Sequence, residues 1–331
     1  MSIMQMMLGA GGASGLSVGE VFSTDLWVGN ETARDITNGI DLDGEGGLVW
    51  VKAREATEHH GLFDTERGAN EWLCSHRTED ESTVSGNVTA FNSDGYSIGT
   101  AARVNEDTLD NVGWTFRKAK KFFDIVSWTG NTDATREISH SLGCDPGMII
   151  YKARDNNANW YVWHKGLSAN QYLVLHTTAA PTTVTSSYDE AYAFGKDPVV
   201  PTSTEFTVGN WTGGGSSNYI GYVFAEDEDN IKCGTYDGDG NEPGPTITLG
   251  WEPQWLIIKR IDAVDSWPIY DTARGGTSNQ KVLIASANNA ESDNSNLQVN
   301  FTSTGFQPQT DDNGTNADGG TYAYMAIKKE D

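Results

Sequence analysis

One pattern is spelled three times in this chain, each time about a hundred residues further on. Trp27-Val28-Gly29-Asn30 returns as Trp128-Thr129-Gly130-Asn131 and, more loosely, as Tyr236-Asp237-Gly238-Asp239. Leu48-Val49-Trp50-Val51-Lys52 returns as Met148-Ile149-Ile150-Tyr151-Lys152 and as Trp255-Leu256-Ile257-Ile258-Lys259. Phe63-Asp64-Thr65-Glu66-Arg67-Gly68 returns as Tyr270-Asp271-Thr272-Ala273-Arg274-Gly275, with Trp163-His164-Lys165-Gly166 as a worn middle version. The lysine and the residue at the Asp64, His164 or Asp271 place are twelve apart each time. Such a period is too long for a solenoid turn and right for a small domain. The expected organisation is an N-terminal peptide, 1–19, followed by three copies of one domain at 20–121, 122–229 and 230–331.

Each copy reads as short strands. The opening strands hold Leu26 and Trp27; Ile125, Val126 and Trp128; and Cys233, Thr235 and Tyr236. A Gly/Pro corner such as Leu142-Gly143-Cys144-Asp145-Pro146-Gly147 leads into the apolar run before each recurring lysine, as a central strand requires. The closing strands, Gly113-Trp114-Thr115-Phe116, Ile220-Gly221-Tyr222-Val223-Phe224 and Tyr322-Ala323-Tyr324-Met325-Ala326, alternate large residues at period two. No helix-period stripe interrupts them. The expected fold is all-β: three tandem antiparallel β-sandwiches of lectin or jelly-roll type. The joins, Lys118 to Lys121 and Ala225 to Asn230, are short enough to predict a semi-rigid row of domains.

With 46 acidic against 22 basic side chains the net charge is −24, which opposes binding to nucleic acid or to an anionic membrane. Cys74, Cys144 and Cys233 form no C-x-x-C pair and read as ordinary thiols made in a reducing compartment. Met1, Ile3, Met4, Met6, Met7 and Leu8 precede a Gly-rich hinge, with no basic region ahead of them. They read as an apolar docking peptide, methionine being the adaptable side chain for that task; the plainer alternative is a tail folded back on its own domain.

The recurring lysines read best as strand-end residues capping the sheet or pairing with Asp64 or Asp271. The Asp-Thr-x-Arg-Gly stretches read as turns whose Asp accepts backbone N–H groups with Arg alongside. The turn carrying Asp237, Asp239 and Asn241 is a candidate calcium loop, but the twelfth position from Asp237 is Thr248 rather than Glu, so an acidic hairpin is the simpler reading. His59, His60 and His76 show no zinc-type spacing, and no nucleophile, P-loop or dinucleotide motif is present. Neither enzymatic chemistry nor a cofactor is expected. Trp72, Trp160 and Trp211 fall in stretches that break the repeat and are candidates for stacking on sugar rings. The polar stretch from Trp211 through Ser216 to Asn218 is the first choice.

The runs Phe22-Ser23-Thr24-Asp25-Leu26-Trp27, Ile36-Thr37-Asn38-Gly39-Ile40-Asp41-Leu42 and Leu62-Phe63-Asp64-Thr65-Glu66-Arg67-Gly68, with Phe91-Asn92-Ser93-Asp94-Gly95-Tyr96 and Pro146-Gly147-Met148-Ile149-Ile150, resemble a tandem module of virion proteins from marine and other environmental tailed phages. The likeness covers about residues 20–328. It implies a structural protein made in the host cytoplasm and carried on the virion: a tail fibre or tail appendage contacting host glycans. The alternatives are a capsid decoration protein bracing the head and, last, a polysaccharide-degrading enzyme. It also implies other virion proteins as partners and a homo-oligomer on the particle, without nucleic-acid binding or membrane insertion.

Overall fold

The computed structural model describes residues 16–131, 133, 135–184, 193–194, 200–209, 215–278, 281–293 and 295–330. The fold is all-β, built of several antiparallel sheets; the helical turns Ala102–Asn105 and Thr272–Gly275 are four residues each. Three main sheets share one strand order. In the first, Phe22–Val28 lies beside Asp110–Arg117, then Gly47–Ala53, then Gly61–Asp64. In the second the order is Phe123–Thr129, Asn218–Ala225, Pro146–Ala153 and Tyr161–His164, extended by Gln171–Val174 and Thr182–Thr183. In the third it is Ile231–Asp237, Thr321–Lys328, Pro253–Arg260, Pro268–Asp271 and Leu283–Ile284. Register agrees as well: Lys52 lies opposite Val112, Lys152 opposite Ile220 and Lys259 opposite Ala323, each on the sheet's closing strand.

Smaller sheets accompany the main ones. Arg34–Thr37 pairs with Gly95–Ile98, which pairs with Val88–Asn92; Thr135–Ser139 pairs with Glu205–Gly209; Ile247–Thr248 pairs with Gly305–Pro308 and that with Val299–Thr302. The lysine-bearing strands are apolar on both faces because both are covered. Side chains alternate along a strand, so Val49 and Val51 join Ile98 and Tyr96 of the small sheet, while Leu48 and Trp50 point the other way. In the third sheet Leu256 and Ile258 pack with Ile247 and Phe306, whereas Trp255 and Ile257 point away.

That second face is where the molecule departs from a row. All three main sheets contribute to one shared core. Phe116 packs on Phe22 (centroids 5.1 Å), on Phe224 of the second sheet (5.6 Å) and on Trp255 of the third (5.8 Å). Trp255 also lies 6.3 Å from Trp114. The third sheet meets the first directly as well, through Arg54–Glu291 at 2.8 Å. Short joins favoured a row only on chain length; burying Trp50, Trp114 and Trp255 together outweighs it, because each wide aromatic removes a large apolar area from water.

The joins and both described ends gather on one side. Ser17 Oγ donates to Glu330 (2.8 Å), Asn230 Nδ2 donates to the Leu16 carbonyl (3.1 Å), and Lys121 pairs with Asp227 (3.3 Å). They border a cleft of about 490 Å³ lined by Leu16, Lys120, Asp229 and Lys328. From there the strand Asn218–Ala225 runs away for roughly 25 Å, at about 3.4 Å per residue, to the loops at its far end.

Candidate functional site

The recurring residues line the contacts between the main sheets. Each lysine shares the inward parity of Trp50 or Ile257 and is buried. Lys152 Nζ donates to Thr78 O (2.7 Å) and Ala158 O (2.8 Å); Lys259 Nζ donates to Thr178 O (3.1 Å) and Asp265 O (2.7 Å); Lys52 Nζ donates to Ala53 O (2.5 Å) and Ala56 O (2.8 Å). Burial lowers each ammonium to about 8. The second and third lysines thus hold a loop of the preceding sheet by its backbone. They neither cap an exposed strand end nor pair with Asp64 or Asp271.

Those aspartates serve arginines instead. Asp64 accepts backbone N–H groups from Glu66 (3.1 Å) and Arg67 (3.0 Å), and Arg67 Nε lies 2.5 Å from its Oδ2, both side chains fully buried. Tyr222 of the second sheet donates its hydroxyl to the same oxygen (2.8 Å). Glu81 then joins Arg67 (3.1 Å) to Arg154 of the second sheet (2.7 Å). Third and first sheets meet through the same parts: Asp271 holds Arg274 (2.5 Å), Trp114 Nε1 donates to Asp271 (3.0 Å), and Glu291 joins Arg274 (3.1 Å) to Arg54.

Between second and third sheets the parts change together. The place held by Trp114 and Tyr222, opposite Trp50 and Ile150, falls to Met325, opposite Ile257, which has no hydrogen to donate. His164 stands for the aspartate, and its Nε2 donates to the backbone carbonyl of Tyr324 (3.0 Å) while Nδ1 accepts from Gly166 N (3.0 Å). Loss of the aspartate in the middle version is a change of partner at one contact. Both ring nitrogens being committed, His164 is held neutral, and burial pushes it down to about 4. The unfolded chain therefore takes up a proton between pH 6.5 and 4 that the folded chain refuses, so the stability His164 contributes is complete above pH 6.5 and lost as pH falls through that window. Urea unfolding across pH 7 to 4.5 is expected to show this slope, reduced in His164→Gln. An equal slope in that variant would refute the assignment.

The sequence candidates for sugar contact fare unevenly. Trp160 is fully buried: its Nε1 donates to Cys74 O (2.7 Å) and its ring stacks on Tyr222, which removes it from any ligand surface. Trp72 is half-buried, with Nε1 donating to His60 O (3.0 Å) and the Arg103 guanidinium 3.7 Å over its ring, so that face is taken. Ser216 and Asn218 are exposed at the end of the closing strand far from the joins; Asn218 Nδ2 donates to Asp155 (3.3 Å) and its Oδ1 accepts from Thr129 (2.9 Å). Trp211 lies outside the described residues, as do Met1, Ile3, Met4, Met6, Met7 and Leu8. In the candidate calcium loop Asp237 accepts from Thr321 Oγ1 (3.0 Å) of the strand it pairs with and Asp239 accepts from Asn241 N (3.0 Å). The strands on either side of this loop, Ile231–Asp237 and Ile247–Thr248, lie in different sheets, so it is a connection between sheets and not the hairpin the sequence suggested.

A cluster that linear spacing concealed lies at the edge of the shared core. Among the described residues, His59, Cys74 and His76 are the one group of His, Cys, Asp or Glu side chains whose ligand atoms all fall within 4.8 Å of one another. His59 precedes the Gly61–Asp64 strand and the other two follow Glu71–Trp72, so only the pairing of Leu62 with Leu73 brings them together. His59 Nδ1 is 2.9 Å from His76 Nε2, and Cys74 Sγ is 3.6 Å from that same Nε2. Burial raises the Cys74 thiol to about 12 and, with His59 and Arg77 adding to it, lowers His76 to about 4.

A family model described as "Domain of unknown function (DUF7483)" matches residues 17–330. The chain belongs to this family. The DUF7483 match takes in all three main sheets and begins after the methionine-rich peptide. No curated protein matches the chain.

Proposed function

We propose that this DUF7483 chain is three copies of one β-sandwich module, each a main sheet with its small sheet, closed into a ring that works as a structural part of a tailed-phage particle. In this reading it is a tail fibre or tail appendage without catalysis of its own. Residues 1–15 fix it to other virion proteins, and the loops at the far ends of the opening and closing strands, Ser216 and Asn218 among them, touch host glycans. The observation that carries it is polarity: joins and both described ends collect on one side, so the strand ends opposite are left to loops. The recurring polar residues are spent on contacts between sheets, which leaves recognition to the parts that break the repeat. The resemblance to virion modules supplies the setting.

Deleting residues 1–15 is expected to leave a folded chain that no longer enters particles, because the family match begins after them, at residue 17. Trp211→Ala is expected to lower adsorption to host cells while leaving the melting temperature unchanged. Incorporation of the truncated chain at the normal level would overturn the attachment role. A normal adsorption rate for the Trp211 variant would remove that loop, and labelling of the chain over the head in particle images would favour the decoration reading.

A further inference from the structure

We infer that His59, Cys74 and His76 form a zinc site. A thiolate with two imidazoles is the donor set that a borderline-soft divalent ion selects over calcium or magnesium. The spacing suits it. Zinc held at about 2.0–2.1 Å from nitrogen and 2.3 Å from sulfur needs ligand atoms about 3.3–3.6 Å apart in a tetrahedron. The observed separations from His76 Nε2 are 2.9 Å to His59 Nδ1 and 3.6 Å to Cys74 Sγ, close to those edges, and the ligand atoms of all three residues lie within 4.8 Å of one another. Three protein ligands leave a fourth position open.

The metal-free hydrogen bonds define what binding must change. Arg77 Nη1 only donates, so His59 Nε2 accepts at 2.9 Å. A neutral His59 then carries its proton on Nδ1 and donates it to His76 Nε2, which leaves the proton of His76 on Nδ1, 3.2 Å from Cys74 Sγ. Zinc takes Nδ1 of His59, Nε2 of His76 and the thiolate. The Cys74 proton leaves to solvent, the His59 proton moves to Nε2, and Arg77 must release that nitrogen. Arg77 is able to, being partly exposed and already paired with Glu79. Arg103 opposes the ion and Glu58 and Glu79 favour it, all three being felt by the cluster.

The position gives the ion a task. The loop carrying Cys74 and His76 touches both other main sheets: Cys74 O accepts from Trp160, Thr78 O from Lys152, and Ser75 Oγ donates to Ala285 O (2.7 Å). Fixing this loop braces the meeting point of all three. In the register that pairs Leu62 with Leu73, Val162 with Leu173 and Ile269 with Leu283, the places of His59, Cys74 and His76 hold Asn159, Val174 and His176 in the second sheet and Ser266, Ile284 and Ser286 in the third, so the full set occurs once in the chain.

The test is the reduced, chelator-stripped full chain titrated with Zn2+ and, for spectroscopy, with Co2+. One ion per chain is expected, with a cobalt–thiolate charge-transfer band, a raised melting temperature with Zn2+ and none with Mg2+ or Ca2+. Cys74→Ser and His59→Gln should each lose the binding; should the serine variant fail to fold, the half-exposed His59 position decides alone. Arg77→Gln, which no longer opposes a proton on Nε2, should bind severalfold more tightly. Absence of saturable binding, or equal binding in folded His59→Gln, would overturn the site.

Discussion

Asp271→Ala is expected to destabilise the chain by about 3–5 kcal/mol, the usual consequence of removing one member of a fully buried ion pair. Both Asp271 and Arg274 have no exposed side-chain surface, and Asp271 receives Arg274 Nε, Arg274 N and, from another main sheet, Trp114 Nε1. Without the carboxylate the guanidinium keeps Glu291 and the Ile269 carbonyl but loses its closest acceptor, and two N–H groups are left in a dry interior. Asp271→Asn should cost less, since the amide oxygen still accepts. Trp114→Phe tests the contact between sheets: in a double-mutant cycle with Asp271→Ala the two losses should fall short of additivity by about 0.5–3 kcal/mol. Additive losses in urea unfolding would show that the Trp114 bond carries no coupling.

Trp255→Ala should cost about 3–5 kcal/mol, as for other buried tryptophans cut back to alanine. Its ring is fully buried against Phe22, Trp114 and Phe116, so the cavity opens where the third sheet packs on the first. Because the core is shared, unfolding of the wild-type chain is expected as a single transition by calorimetry and by tryptophan fluorescence alike. In the variant the third sheet keeps the polar contacts of Asp271 with Trp114 and of Glu291 with Arg54 to hold it to the first but loses the aromatic ones of Trp255, and the transition should broaden or split. Three separate transitions in the wild type would contradict a shared core.

The residues differ in how far they disclosed their roles. Asp64-Thr65-Glu66-Arg67-Gly68 announced its turn, since an Asp three residues ahead of an Arg can satisfy the backbone and the guanidinium with local bonds alone. The alternating closing strands announced an all-β chain for the same reason: period two is a property of the backbone. Lys52, Lys152 and Lys259 announced a shared position but not their partners, because Thr78 O and Thr178 O are main-chain atoms that any sequence supplies. Trp160 read as a loop residue free to meet a ligand and is buried, because the surface that covers it belongs to a different sheet. His59, Cys74 and His76 were invisible as a set, since what joins them is the pairing of Leu62 with Leu73.

By itself, then, the sequence determined that the chain is all-β, where its opening, lysine-bearing and closing strands lie, where the Asp–Arg turns fall and that the lysines share a register. Each of these rests on spacing over a few residues, where covalent geometry leaves few choices. The tertiary structure decided that the short joins close the third sheet onto the first, that Trp50, Trp114 and Trp255 face one another, and that a thiol and two imidazoles converge. Those outcomes depend on burying apolar faces from distant parts of the chain against each other. That energy is proportional to area and indifferent to sequence separation, so no local pattern carries it.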